Sequence, residues 1–179
     1  SFQVFYSSVF AQLNSTNFTA YSELGGTFIT DIITDKRSVV WIATSNGLVQ
    51  YDGYEYKHFD VDPKDPKKMG SILTQKLFVA QDGHIWIGCT EQLSEYNPET
   101  KTFKNYDISK LTDFPLGSQP AVITINEDSR GRIYFGTHSL IGIKASHALF
   151  YKDEINNTLK RFDSPNNQEI KNVYKKISE

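Results

Sequence analysis

The stretch around Trp41, "VVWIATSNGLVQYDG", is written again around Trp86 as "HIWIGCTEQLSEYNP". It appears a third time, more loosely, around Tyr134 as "RIYFGTHS". The three aromatics stand 45 and 48 residues apart. Around them Val40, Ile85 and Ile133 precede, Ile42, Ile87 and Phe135 follow, and Ala43, Gly88 and Gly136 supply a small residue. Leu48 and Leu93 then match, as do Tyr51 and Tyr96, and Phe59 and Phe103 are read as the aromatics that close the first two units. A repeat of about 40–50 residues leaves two broad choices, propeller blades or helical arrays.

Local chemistry decides between them. "VVWIAT", "HIWIGC" and "RIYFGT" are short, β-branched and aromatic, without a helical stripe. With 10 Tyr and 12 Phe in the chain, strands are favoured throughout. Asn46-Gly47 and Asp52-Gly53 supply residues that accept positive φ, as hairpin turns require, and Pro98 fixes φ at the corresponding turn of the second unit. Each unit reads as four antiparallel strands; in the first these are "FITDIITD", "VVWIAT", "GLVQYD" and "YEYKHF". The expected fold is all-β, an incomplete β-propeller of about three four-stranded blades plus the start of another. Trp41, Trp86 and Tyr134 mark the structural repeat, with the two Trp packed between blades. Gly88 and Gly136 are expected to let neighbouring blades approach.

The blades are read at residues 28–70, 71–119 and 120–168, and the next begins near residue 169, where Ile177 and Glu179 match Ile125 and Glu127. Residues 17–179 thus form a partial propeller. The third unit carries an insertion after Thr137, and its outer hairpin is expected around Asn156-Asn157. Propellers close with roughly four to eight blades, so a larger parent protein is expected. Residues 1–16 are read as a signal-peptide remnant and N-terminal strand, because "VFA" before Gln12 resembles a small-residue cleavage site; an ordinary strand "FQVFY" is the alternative.

"ITDIITDKRSVVWIATSNGLVQYDGYEYKHF" and "LFVAQDGHIWIGCTEQLSEYNPETKTFKNY" resemble the two-component-regulator propeller repeat, "I-x-x-D-x-x-G-x-I-W-I-G-T-x-x-G-L-x-x-Y". The likeness covers about residues 17 to 138 and continues more weakly to 179. Ser38 replaces the usual Gly, Gln92 replaces the Gly before Leu93, and Cys89 takes the Thr position. The resemblance implies an extracytoplasmic sensor region of an inner-membrane, periplasm-facing protein. It also implies an output beyond the membrane, a histidine kinase or a nucleotide-cyclising domain, and a small-molecule ligand such as a saccharide. The partners it implies are the remaining blades of the parent and, through that parent, a second copy in a homodimer.

The residues themselves exclude several other functions. A net charge of −2 without basic blocks argues against a nucleic-acid partner. There is no G-x-S-x-G, H-E-x-x-H or Walker A motif, so no catalytic residue is assigned and this segment is expected not to be an enzyme. His58, His84, His138 and His147 have no second ligand at metal spacing, and "DVDPKD" lacks the Gly and closing Glu of a calcium loop, so neither metal nor cofactor is expected. Cys89, the single cysteine, is expected to be a buried, inert thiol. Glu91 and Asp128 are the carboxylates weighed for acid–base work. Ligand contacts are expected on the face carrying the loops between second and third strands (Ser45, Asn46, Glu91, Gln92, His138) and the long connectors. Asn46, Glu91, Gln92 and Phe114 are the binding candidates. A fragment of a propeller enzyme, lyase or hydrolase, or of a protein-interaction propeller, is the alternative.

Overall fold

The computed structural model describes residue 24 and residues 27–62, 64–65, 67–111, 117–139, 146–153 and 155–162. These form twelve strands in three antiparallel sheets of four, each sheet ordered as in the chain. The first holds β1 (Ile29–Thr34), β2 (Val40–Thr44), β3 (Gly47–Tyr51) and β4 (Tyr56–His58). The second holds β5 (Thr74–Val79), β6 (Ile85–Cys89), β7 (Gln92–Asn97) and β8 (Thr102–Asp107). The third holds β9 (Ala121–Glu127), β10 (Ile133–Ser139), β11 (Ser146–Asp153) and β12 (Thr158–Arg161). The all-β reading with three propeller blades is borne out. The signal-peptide reading, the insertion after Thr137 and the start of a further blade near 169 fall wholly or mainly outside the described residues.

The sheets stack face on face with their first strands as neighbours, so the core is two inter-sheet layers. Trp41, Leu48, Met69, Leu77, Ile87 and Tyr96 fill the first layer. Trp86, Leu93, Tyr106, Ile125, Phe135 and Phe150 fill the second. Alternation along each strand produces this: Trp41 and Ala43 face the second sheet while Ile42 turns away.

Three local devices recur. Each first strand carries a bulge against its second, at Thr30, Gln75 and Ile123, which strengthens the twist a radial arrangement needs. Each turn into the second strand is closed by the same backbone pair: Ser38 N to Asp35 O, Gly83 N to Ala80 O and Gly131 N to Asp128 O, all 3.0 Å. The residue that donates there has φ of 64°, 89° and 82°, so Ser38 adopts a conformation the other two turns give to glycine. Finally, each second-strand aromatic meets a ring at the end of its own sheet. Trp41 stacks on Phe59 (5.6 Å) and Trp86 on Tyr106 (5.9 Å), while Tyr134 meets Phe162 edge-on (6.0 Å).

That last relation corrects the alignment. The counterpart of Phe59 is Tyr106, not Phe103, because Phe59 N donates to Leu48 O and Tyr106 is paired with Leu93, the equivalent residue of the second sheet. The β7–β8 hairpin adds one pair, Asn97 with Thr102, before it turns, and this displaces the aromatic. Phe103 instead packs against Tyr96 (4.8 Å) in the first layer. In the third sheet β11 and β12 pair from Asp153 and Thr158, with Asn156 and Asn157 in the turn.

Candidate functional site

The β2–β3 and β6–β7 turns lie at one end of the sheets, with the connectors that enter β5 and β9. There a cavity of about 440 Å³ opens, lined by Lys64, Gly70, Ser71, Thr90, Glu91, Gln92, Asn105, Asp107 and Ser109. The connector from β4 to β5 makes one wall. Asp62 and Asp65 fold it: their carboxylates accept from the backbone N–H of Lys64 (3.0 Å) and Lys67 (2.9 Å). Asp60 pairs with Lys68 at 3.7 Å. The acidic run "DVDPKD" is thus engaged in turn formation. Met69 anchors the connector, wholly buried in the first core layer, and sets Gly70 and Ser71 at the cavity.

The opposite wall is the β6–β7 turn. Glu91 has φ 60°, and its backbone ties both ends of the β8–β9 connector: its N–H donates to Pro120 O (2.6 Å), and its C=O accepts from Ile108 N (3.1 Å). This leaves its carboxylate exposed beside the cavity. Gln92 packs against Gly70 so closely that a Cβ there would overlap its amide. The Gln92 Oε1 is buried with no hydrogen-bond donor. A buried acceptor without a donor loses about 1–3 kcal/mol of solvation.

β8 supplies the floor. Asn105 accepts from Ser94 Oγ (2.8 Å) and donates to Lys68 O (2.5 Å), which locks its amide and the connector together. Burial pushes the Asp107 carboxyl up, but bonds from Ser109 and Lys110 outweigh it and hold the group below the usual carboxylate range. Asp107 is therefore a fixed acceptor at neutral pH. The lining offers acceptors at Glu91 and Asp107, the Gln92 side chain, and donors at Lys64, Ser71 and Thr90, a set suited to a neutral, hydroxyl-rich solute.

Of the predicted binding residues, the fold brings Glu91 and Gln92 together in this cavity. Asn46 is exposed in the β2–β3 turn, its N–H bonded to Thr44 Oγ1 (3.0 Å), and does not line it. Phe114 lies outside the described residues. Gly70, Ser71 and Asp107 belong to the long connectors expected on this face without being singled out, whereas Asn105, on an outer strand, was missed, and only the fold places it beside Glu91. Glu91 and Asp128 stand at opposite ends of the sheets, since β9 runs from Ala121, bridged to Thr90, to the turn holding Asp128.

The repeat residues take other roles. Trp41 and Trp86 are buried between sheets and Tyr134 is half-buried. An added Cβ at Gly88 would lie 2.7 Å from Val122 Cγ1 of the next sheet. At Gly136 it would lie 2.6 Å from Thr124 Cγ2, the cross-strand partner in the same sheet, and a blade beyond the third lies outside the described residues. Burial raises the Cys89 thiol to about 12, and its Sγ lies 3.9 Å from Ile87 O. His84 Nδ1 lies 2.8 Å from Glu95, inside a cluster completed by Tyr106 and Lys152. Among the described residues no three His, Cys, Asp or Glu gather as a metal site, and no helix is long and apolar enough to cross a membrane.

No family model matches the sequence, and no curated protein matches it. Solved structures do share the fold. One is the extracellular domain ascribed to the hybrid two-component system BT4673 of B. thetaiotaomicron (TM-score 0.57, 21% identity, 77% of this chain and 17% of that one). Another is that of BT3049 from the same organism (TM-score 0.57, 22% identity, 78% and 18%). The chain therefore spans less than a fifth of either.

Proposed function

We propose that this chain is part of an extracytoplasmic sensor propeller of a two-component signalling protein, and that the cavity at Glu91 and Gln92 takes a small, hydroxyl-rich ligand such as a saccharide. The observation that carries the reading is the cavity itself. It has a volume of about 440 Å³ and a polar lining, on the face where propellers gather their loops. The fold shared with extracellular domains of hybrid two-component systems supports the sensory role and the location outside the cytoplasm. The family-like repeat supports an inner-membrane parent with a histidine kinase output and a homodimeric assembly.

The experiment is calorimetric titration of the complete extracytoplasmic region against a panel of mono- and oligosaccharides. Gln92→Ala and Asp107→Ala are expected to weaken binding by about tenfold or more, as for directly contacting polar groups, with Asn46→Ala within about twofold of the parent value. Binding indifferent to Gln92 and Asp107 overturns the assignment of this cavity. Consumption of the ligand by the region replaces the sensor reading with an enzymatic one.

A further inference from the structure

Three charged side chains line the cavity: Lys64, Glu91 and Asp107. The charge of Asp107 is already compensated. Its carboxylate accepts from Ser109 N (3.0 Å) and Ser109 Oγ (2.6 Å) and pairs with Lys110 Nζ at 2.9 Å. The acidic groups of the β4–β5 connector are engaged too, Asp60 with Lys68 and Asp62 and Asp65 in turns. Lys64 and Glu91 differ from all of these. Both are exposed, and among the described residues neither side chain has a hydrogen bond or an ion pair, with each other included. The cavity therefore holds one uncompensated cation and one uncompensated anion.

Backbone bonds put these two charges where they are. Lys64 N–H donates to Asp62 Oδ1 (3.0 Å), which fixes the turn that carries it. Glu91, with φ 60°, is held through both its N–H and its C=O. The pairs Ala43–Leu48 and Gly88–Leu93 make Glu91 the equivalent of Asn46 in the first sheet, so the negative charge belongs only to the turn that borders the cavity. One charge comes from the connector and the other from the β6–β7 turn that faces it.

This pair discriminates among solutes. A neutral sugar leaves both charges to water. A solute with one charge gains at one wall and meets its own sign at the other. A solute with an amine and an acid gains at both, through charge-assisted hydrogen bonds about twice as strong as neutral ones, and stays neutral overall. We propose that Lys64 and Glu91 select a zwitterionic sugar, its amine at Glu91 and its carboxylate at Lys64. The proposal rests on the reading of the cavity as a saccharide site and names the class of saccharide.

The test is calorimetry of the complete extracytoplasmic region with glucose, glucosamine, glucuronate and muramic acid, whose single ring carries an amine and a carboxylate. Muramic acid is expected to bind at least about tenfold tighter than glucose, with the two singly charged sugars between them. Lys64→Gln should erase the advantage of muramic acid over glucosamine and keep that of glucosamine over glucose. Glu91→Gln should erase its advantage over glucuronate and keep that of glucuronate over glucose. Both positions are exposed, so circular dichroism should be unchanged, and a loss of folding alone would not split the sugars in this way. A preference for muramic acid that survives both substitutions overturns the proposal, as does any other sugar ranking first. Binding of uncharged sugars alone, still dependent on Gln92 and Asp107, overturns the charge pair and leaves the cavity as the site. No binding of any sugar overturns both.

Discussion

Asp35 Oδ2 accepts a hydrogen bond from Trp41 Nε1 at 3.1 Å, tying the first repeat's central ring to the turn that starts its strand. The same carboxylate accepts from the backbone N–H of Arg37 (2.9 Å) and Val39 (3.0 Å) and pairs with Arg37 Nη2 (2.8 Å). Asp128 repeats the pattern toward Arg130, Arg132 and, at 3.4 Å, the Tyr134 hydroxyl. In the second sheet Ala80 holds that place, so Trp86 lacks this tie.

Trp41→Ala is therefore expected to cost about 3–5 kcal/mol, and Trp41→Phe, which keeps a ring but removes one hydrogen bond to a charged carboxylate, about 1–3 kcal/mol. Asn46→Ala should stay within about 0.5 kcal/mol. Urea unfolding of the three variants checks the order; equal losses at Trp41 and Asn46 would refute the burial of this ring.

Burial raises the Asp35 pKa, and the bonds from Arg37, Trp41 and Val39 more than reverse that, leaving it lowered. A carboxylate lowered in the folded state contributes stability that is complete above its unfolded pKa of about 3.9 and disappears as pH falls through the folded value. Unfolding midpoints measured from pH 7 downward should fall below about pH 4, and Asp35→Asn should flatten part of that fall. An acid slope unchanged in Asp35→Asn would show that its bonds contribute nothing.

Ser38→Gly should stabilise the chain by about 0.5–1 kcal/mol, because Ser38 is exposed and holds φ 64° where Gly83 and Gly131 sit in the sister turns. A thermal melt that shifts downward would mean the serine side chain is needed there.

Gly88→Ala should destabilise by about 1–3 kcal/mol, since the new methyl meets Val122 Cγ1 at 2.7 Å and Val122 O at 2.8 Å. Hydrogen exchange should rise first in β9, the strand pushed aside. Unchanged protection there would mean the sheets separate without cost.

The fold was largely legible because its signals are local and repeated: the ring of Trp41, the small residue at Ala43 or Gly88, and the turn at Asn46. Register was less so. Phe103 and Tyr106 both alternate correctly within "TFKNYD", and only the extra Asn97–Thr102 pair distinguishes them. The Asp35–Trp41 bond spans six residues and needs the turn's shape to be seen. In the cavity, Glu91 and Gln92 were readable from a loop position, whereas Gly70 and Asn105 lie far along the chain from each other, joined through Lys68.

The connector that carries Met69 also lies against the outer strand of the second sheet: Phe103 N donates to Lys67 O (3.3 Å) and Asn105 to Lys68 O (2.5 Å). Lys67 and Lys68 precede β8 in the chain, so a ribosome delivers the cover before the strand it protects. β8 joins β7 with part of its outer edge already spoken for, and a nascent neighbour finds fewer free backbone groups there to pair with.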